Sequence, residues 1–375
     1  MQRREFLAAG STLAIGATLA GAPAIASAQE RRFEPKPAGW RSFEVTTRVE
    51  LREAGAAKVW IPLPGIQGDY QRSTGNHWSG NAASSRIVSD GVYGAPMLMA
   101  EFSASGDKPA IEVVSLMLTR DRATDWRRPA QAGAAGAAMG AADRAFWTQP
   151  TALKPTDGIV RATARKITRG EKTDIGQAQA LYQWVVANAH REPATPGCGL
   201  GDIRTLLESG NLSGKCADLN ALFVGLARSV GLPARDIYGV RVAPSGFGYR
   251  ELGAAAGGSI TKAQHCRAEV HLQQHGWVAM DPADVLKVMR METSAWIRDP
   301  AHPVARPVNA GLFGGWEGNW VGYNYASDVT LPDSGGQQVG FLMYPQAQNA
   351  KGLFDCLAPE TFVYTIQSRE LGSAA

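Results

Sequence analysis

Alternating apolar and polar positions mark the first foldable stretch of the chain. Phe43, Val45, Thr47, Val49 and Leu51 alternate with Glu44, Thr46, Arg48 and Glu50, the period-two pattern of a half-buried strand. Val59-Trp60-Ile61 follows after Gly55, as the second arm of a hairpin would. Met97 to Phe102 and Ile111 to Thr119 predict two more strands around the turn Ser105-Gly106-Asp107. Residues 34–122 therefore predict a small antiparallel β domain. Within it the Gly-, Ser- and Asn-rich stretch 65–95 predicts a long loop or irregular strands. Residues 123–154 hold an Ala/Gly-rich run, Pro129 to Ala142, that predicts a linker or a weak helix.

From residue 155 the apolar spacing becomes helical. Thr156-Asp157 caps a helix carrying Ile159, Val160, Ala164 and Ile167; Asp174 caps a second with Ala178, Leu181, Tyr182 and Val185. Asp202 starts a third that ends at Gly210. A fourth begins at Cys216, with Leu219, Leu222, Phe223, Leu226 and Val230 on one face, and ends at Gly231 and Pro233. Then come a strand over 234–242, a Gly-rich loop over 244–259, and a hairpin of His265 to Leu272 with Trp277 to Asp281. Helices followed by an antiparallel sheet make residues 155–290 an α+β core. Residues 291–375, with Trp296, Trp316, Trp320, Tyr323 and Tyr325 and a strand-like Phe362 to Ile366, predict an extension packed on that core.

The chemistry gathers around Cys216. A cysteine in the first turn of a helix faces unpaired backbone N–H groups and the positive end of the dipole, and both favour thiolate over thiol. A thiolate is the nucleophile of cysteine enzymes. His265 follows about fifty residues later, and Asp281 sixteen positions after His265, each on its own element. Cys, His and Asp in that arrangement can supply a nucleophile, a base and a group that orients the base.

Three blocks carry a resemblance to a known family. Gly214-Lys215-Cys216 opens an Ala/Leu-rich helix closed by Gly231-Leu232-Pro233-Ala234-Arg235. His265-Cys266-Arg267-Ala268-Glu269-Val270 is the second block, and Gly276-Trp277-Val278-Ala279-Met280-Asp281-Pro282-Ala283 the third. In this order, across residues 155–290, they resemble the transglutaminase-like superfamily of papain-like thiol enzymes. Arg267 stands where that family commonly has Trp, and Ala283 where it has Thr; both departures are expected to bear on the walls of the substrate site. The resemblance implies a papain-like core with Cys216, His265 and Asp281 as its catalytic set. It also implies an acyl-thioester formed from an amide, resolved by water in a peptidase or amidase, or by an amine in a cross-linking enzyme. Hydrolysis is the favoured reading, and this chemistry needs no cofactor or metal. A binding or assembly module that keeps the fold is the alternative of a different class, opposed by the intact Cys/His/Asp set.

Each position also has a plainer reading. Cys216 could be a buried small hydrophobe. His271 shares a strand face with His265 and is expected as a satisfied surface residue, while His275 falls in a turn. Asp284 competes with Asp281, and Glu269 reads as structural, paired with Arg267 or Arg235. A second oxyanion donor, beyond the Cys216 N–H, could come from Trp184 or Gln264. Cys266, next to His265 on a strand, is expected on the opposite face, as a buried free thiol or in a disulfide with Cys198 or Cys356. Trp316 and Trp320 read as core.

Composition narrows the partners. Of 375 residues, 38 are Lys or Arg and 34 Asp or Glu, for a net charge of +4 without any dense basic patch. That argues against nucleic acid. With only four cysteines and no Cys-x-x-Cys pair, a zinc site is poorly supported. The expected partner is a peptide, protein or cell-wall amide substrate. Residues 1–28 read as a twin-arginine signal: Arg3-Arg4-Glu5-Phe6-Leu7, a short apolar stretch from Leu13 to Ala26, and Ala26-Ser27-Ala28 as the cleavage site. They imply the twin-arginine export machinery, cleavage after Ala28 and a periplasmic or secreted product. No later stretch is long and apolar enough to predict a membrane span.

Overall fold

The computed structural model describes residues 31–127, 139–254, 258–358 and 362–374. The expected signal 1–28 and most of the Ala/Gly-rich run lie outside them. Among the described residues no helix is long and apolar enough to cross a membrane.

The alternating segment is a strand, Trp40–Leu51, with Phe43, Val45, Thr47, Val49 and Leu51 turned inward. Its neighbours are not those of a hairpin. On one side it pairs antiparallel with Ala110–Thr119, on the other along its whole length with Phe362–Ala374, from Leu51↔Phe362 to Trp40↔Ala374 with one register shift between Ser42 and Phe43. With both edges taken, Val59-Trp60-Ile61 cannot be the second arm of that strand. It lies instead at the centre of a second sheet, where Ala57–Pro62 pairs with Pro96–Phe102 and Gln346–Asn349. Val59, Trp60 and Ile61 are all buried there, as a strand covered on both faces requires. Pro96–Phe102 and Ala110–Thr119 therefore belong to different sheets, despite being joined by a short turn.

Residues 65–95, expected as a long loop or irregular strands, contain two strands, Gln71–Gly80, whose register shifts between Ser73 and Gly75, and Ser84–Ser89. Nearly all of their side chains are exposed or half-buried, so they lack the alternation that reveals a strand. The C-terminal residues do more than pack on the core. Trp320–Asn324 joins the core sheet, while Gln346–Asn349 and Phe362–Ala374 complete the two sheets begun at the N-terminus.

In the core, helices Gly158–Ile167, Asp174–Asn188 and Ile203–Ser209 precede the Cys216–Ser229 helix. The second is capped by Thr173, whose Oγ1 accepts from Gly176 N at 3.0 Å. Asp174, expected as that cap, accepts instead from Gln273 N at 2.6 Å. Asp202 caps the third helix through Thr205 N, and Gly210 ends it in the left-handed conformation with φ 69°. The Cys216–Ser229 helix packs against the antiparallel sheet Gly276–Met280, Gln264–Leu272, Ala234–Arg241, Trp320–Asn324. Leu219, Leu222, Phe223 and Leu226 on it have no exposed surface. At about 1.5–3 kcal/mol for each such side chain, this burial holds the helix on the sheet. The result is an α+β core with papain-like order.

Candidate active site

The start of the Cys216 helix is held by one buried carboxylate. Asp218 Oδ2 accepts from Lys215 N at 2.9 Å, and Oδ1 accepts from Leu200 N at 2.9 Å and Gly201 N at 2.8 Å. The loop around Cys198 is thereby tied to the helix, and Ala217 N adds a bond to Cys198 O at 2.9 Å. This crowding explains two glycines. A Cβ on Gly199, whose φ is +90°, would lie 1.8 Å from Asp218 Oδ2, and one on Gly214 2.4 Å from it.

Cys216 and His265 line one cavity of ≈ 620 Å³, together with Cys198, Gln264 and Tyr364. His265 stands near the start of its strand, with its carbonyl fixed by Trp320 Nε1 at 3.0 Å. Its Nε2 lies 2.7 Å from Asp281 Oδ2 and 3.3 Å from Asp284 Oδ2. The sequence weighed these two carboxylates as rivals; the structure brings both to the imidazole, with Asp281 nearer. Asp281 is also the N-cap of helix Pro282–Met291, accepting from Asp284 N at 3.1 Å. Asn220 Nδ2 bridges Cys266 O at 2.8 Å and Asp281 Oδ1 at 3.2 Å, while its Oδ1 accepts from Ala283 N at 3.3 Å. Asn220 lies one turn beyond Cys216 on the same helix face. A polar residue on an otherwise apolar helix was the signal that could have found it.

The electrostatics favour a charged pair. Contact with the Cys198 thiol, then with Cys266, holds the Cys216 thiol well below its ordinary range against the effect of burial, and the bond and charge of His265 add to this. Burial and the Arg241 cation both oppose a charged His265, yet Asp284 and Asp281 push its pKa up to about 9. Burial and the Asp284 charge raise Asp281. Asp284 goes the other way: although burial disfavours its charge, Arg241, at 2.5 Å, holds it well below the usual carboxylate range. His265, Asp281 and Asp284 are also spaced so that a cation could sit among them. However, the Arg241 guanidinium already engages Asp284, and Arg267 Nε lies 3.7 Å from Asp281.

Other expectations need correcting. Cys266, expected on the strand face opposite His265, lies off the cavity; it contacts the thiols of Cys216 and Cys198, and its Sγ is 3.9 Å from Met343 Sδ. The helix packs on the very face of the strand that Cys266 occupies, so opposition to His265 places it beneath Cys216 rather than away from it. All four cysteines are free thiols. Arg267 is no cavity wall. It is buried behind Asp281, with its guanidinium 4.7 Å from the ring centre of Trp320 and 5.1 Å from that of Trp316, both of which are core residues. Ala283 likewise lies off the cavity, its N–H spent on Asn220. Of the two partners expected for Glu269, Arg235 is the one found, at 2.6 Å, and Arg122 joins it in place of Arg267. His271 is buried against Trp277 rather than solvated. Trp184 lines a separate hollow with Thr163 and Leu207, so only Gln264 of the two suggested oxyanion donors reaches the cavity.

Residues 161–282 match the family model described as the transglutaminase-like superfamily. A protein of Haemophilus influenzae, described as uncharacterized, is 33% identical over 331 residues, covering 84% of this chain and 87% of that one. Among solved structures, a candidate cysteine protease from Cytophaga hutchinsonii superposes with a TM-score of 0.52 over 91% of this chain and 94% of its own, at 12% identity. The last likeness is one of fold alone.

Proposed function

The chain belongs to the transglutaminase-like superfamily, and from this premise we propose that it is a cysteine amidase or peptidase working through a thioester on Cys216. The observation that carries the reading is the shared cavity of Cys216 and His265, with the far nitrogen of the imidazole held 2.7 Å from Asp281.

In the proposed cycle the Cys216 thiolate attacks an amide carbonyl carbon and a C–S bond forms. The oxyanion is met by the Cys216 N–H, which at the first helical position has no intrahelical acceptor. His265, as imidazolium, gives its proton to the amide nitrogen, the C–N bond breaks and the amine departs. Neutral His265 then takes a proton from water, whose oxygen attacks the thioester. The C–S bond breaks, the acid leaves, and thiolate and imidazolium are restored. Asp281 keeps the imidazole oriented and its charge supported throughout. The Arg3-Arg4 leader supports a workplace outside the cytoplasm, reached by twin-arginine export.

Cys216→Ala should abolish release of free acid from an amide substrate while leaving the fold intact, because the change is small and removes only the nucleophile. Incubation with a labelled primary amine separates the acceptors. Dominant incorporation of the amine would replace hydrolysis by transamidation. Turnover that survives Cys216→Ala would overturn the thioester reading altogether.

A further inference from the structure

The charged side chains that line the Cys216 cavity among the described residues are of one sign. Arg191, Lys215, Arg241, Lys262 and Lys287 line it, and none of its described lining residues is Asp or Glu. Arg241 is spent on Asp284, and Lys287 leans on Glu251 at 3.4 Å. Arg191, Lys215 and Lys262 have no ion pair among the described residues. Arg191 is the most informative. It is only partly exposed, and its Nε is buried with no hydrogen-bond partner. Its backbone is fixed beside the thiol, because His190–Arg191 runs parallel to Ser213–Gly214 with Arg191 opposite Gly214, two residues before Cys216. The helix of Lys287 packs against this strand, and Lys287 also lines the cavity; its pKa falls to about 8, chiefly through burial and then through Arg241, with Arg191 adding to it. A cation with an orphaned buried donor, close enough to a second cation to lower its pKa, is costly unless an anion joins it. A planar guanidinium with a free edge suits a carboxylate. Leu357, Phe362 and Tyr364 also line the cavity and offer apolar surface for the rest of a side chain.

We propose that the acyl donor of this site carries a carboxylate close to the scissile amide, and that Arg191, backed by Lys287, binds it. The inference rests on Cys216 being the nucleophile, so its test must separate the two ideas. Iodoacetate and iodoacetamide alkylate a thiolate in the same way: sulfur attacks the methylene carbon, the C–I bond breaks and iodide leaves. They differ in charge, so a thiolate in water repels the first. At Cys216 the iodoacetate-to-iodoacetamide rate ratio should exceed that of free cysteine by about tenfold. Arg191→Gln should bring the ratio back toward that of free cysteine, and Arg191→Lys should keep most of it.

Protection from iodoacetamide identifies which carboxylate is bound. N-acetylglutamate α-amide offers a side-chain carboxylate and N-acetylglutamine a chain-terminal one. Protection by either, but not by neutral N-acetylglutamine amide, supports the assignment and names its source. A ratio equal to that of free cysteine, an Arg191→Gln variant that keeps the preference, or protection by inorganic phosphate but by neither carboxylate would overturn it, while Cys216 stays the nucleophile. Silence of Cys216 toward both reagents would remove the thiolate reading and this assignment with it.

Discussion

Arg241 Nη2 lies 2.5 Å from Asp284 Oδ1, both groups buried in the wall behind His265. The pairing sets how two carboxylates share one imidazole. Asp284 stays ionised because Arg241 neutralises it, and its charge then adds to that of Asp281 in keeping His265 protonated. The reactive pair exists where Cys216 has lost its proton and His265 still has its own. With His265 at about 9, kcat/KM should hold level through neutrality and fall as pH rises past about 9. Asp284→Asn removes a group that raises His265 and leaves Arg241 opposing it, so the alkaline limb should move to lower pH. A pH–rate profile of both proteins checks this; an unmoved limb would show that Asp284 does not act on His265.

Labelling should single out one thiol. Cys216 is held well below the ordinary thiol range, whereas contact with Cys216 raises Cys198 and burial raises Cys266 and Cys356. At mildly acidic pH iodoacetamide should mark Cys216 first, as peptide mass mapping would read. Because Cys198 is the largest support of the thiolate, Cys198→Ala should shift the acidic limb of the labelling rate to higher pH. Even labelling of all four cysteines would contradict this.

Asn220 joins the helix of the thiol to the strand of the imidazole and to Asp281. Asn220→Ala leaves a carbonyl, a carboxylate oxygen and an N–H without these partners in the interior, at about 1–3 kcal/mol for each group left unsatisfied. The melting temperature should drop by several degrees. In protein that remains folded, kcat should fall by at least about tenfold while KM changes little, since Asp281 loses its anchor. A pure loss of stability with full kcat would limit Asn220 to a structural part.

Glu269 is buried between Arg235 and Arg122, and those cations hold its carboxyl low despite burial. Arg235 is itself sandwiched between Trp277 and Tyr325, each ring centre 3.8 Å away. Glu269→Gln would leave two buried guanidinium groups without their counter-charge. A loss of about 3–5 kcal/mol is expected, measurable by urea denaturation, with Cys216 labelling unchanged in the folded fraction.

The site was legible where chemistry and spacing coincide. Cys216 begins a helix, Asp281 caps another and His265 is the second residue of its strand, and short motifs mark such junctions. The helices 158–229 and the hairpin 264–280 were legible for a similar reason: each is local, with its own apolar period and caps. What stayed hidden depends on distant partners. Nothing near Val59 says that residues 346–349 will flank it, and nothing near Phe43 says that residues 362–374 will. Parity along one strand separated Cys266 from His265 correctly, but only the position of the packed helix shows that the far face is the one beneath Cys216. Arg267 was expected on a wall of the substrate site, and Arg241 drew no expectation at all, because their compensating groups, Glu317 O, Asp281 and Asp284, are supplied by the fold.

The pairing of Trp40–Leu51 with Phe362–Ala374 has a temporal meaning. More than three hundred residues separate the partners, so closing this sheet carries a large loop entropy and belongs to the slow, non-local class of folding steps. The same late strand contributes Phe362, Val363 and Tyr364 to the cavity beside Cys216. A nascent chain owns its thiol, its imidazole and both carboxylates well before it owns that wall. The wall beside the reactive sulfur is therefore completed only by residues made well after the sulfur itself.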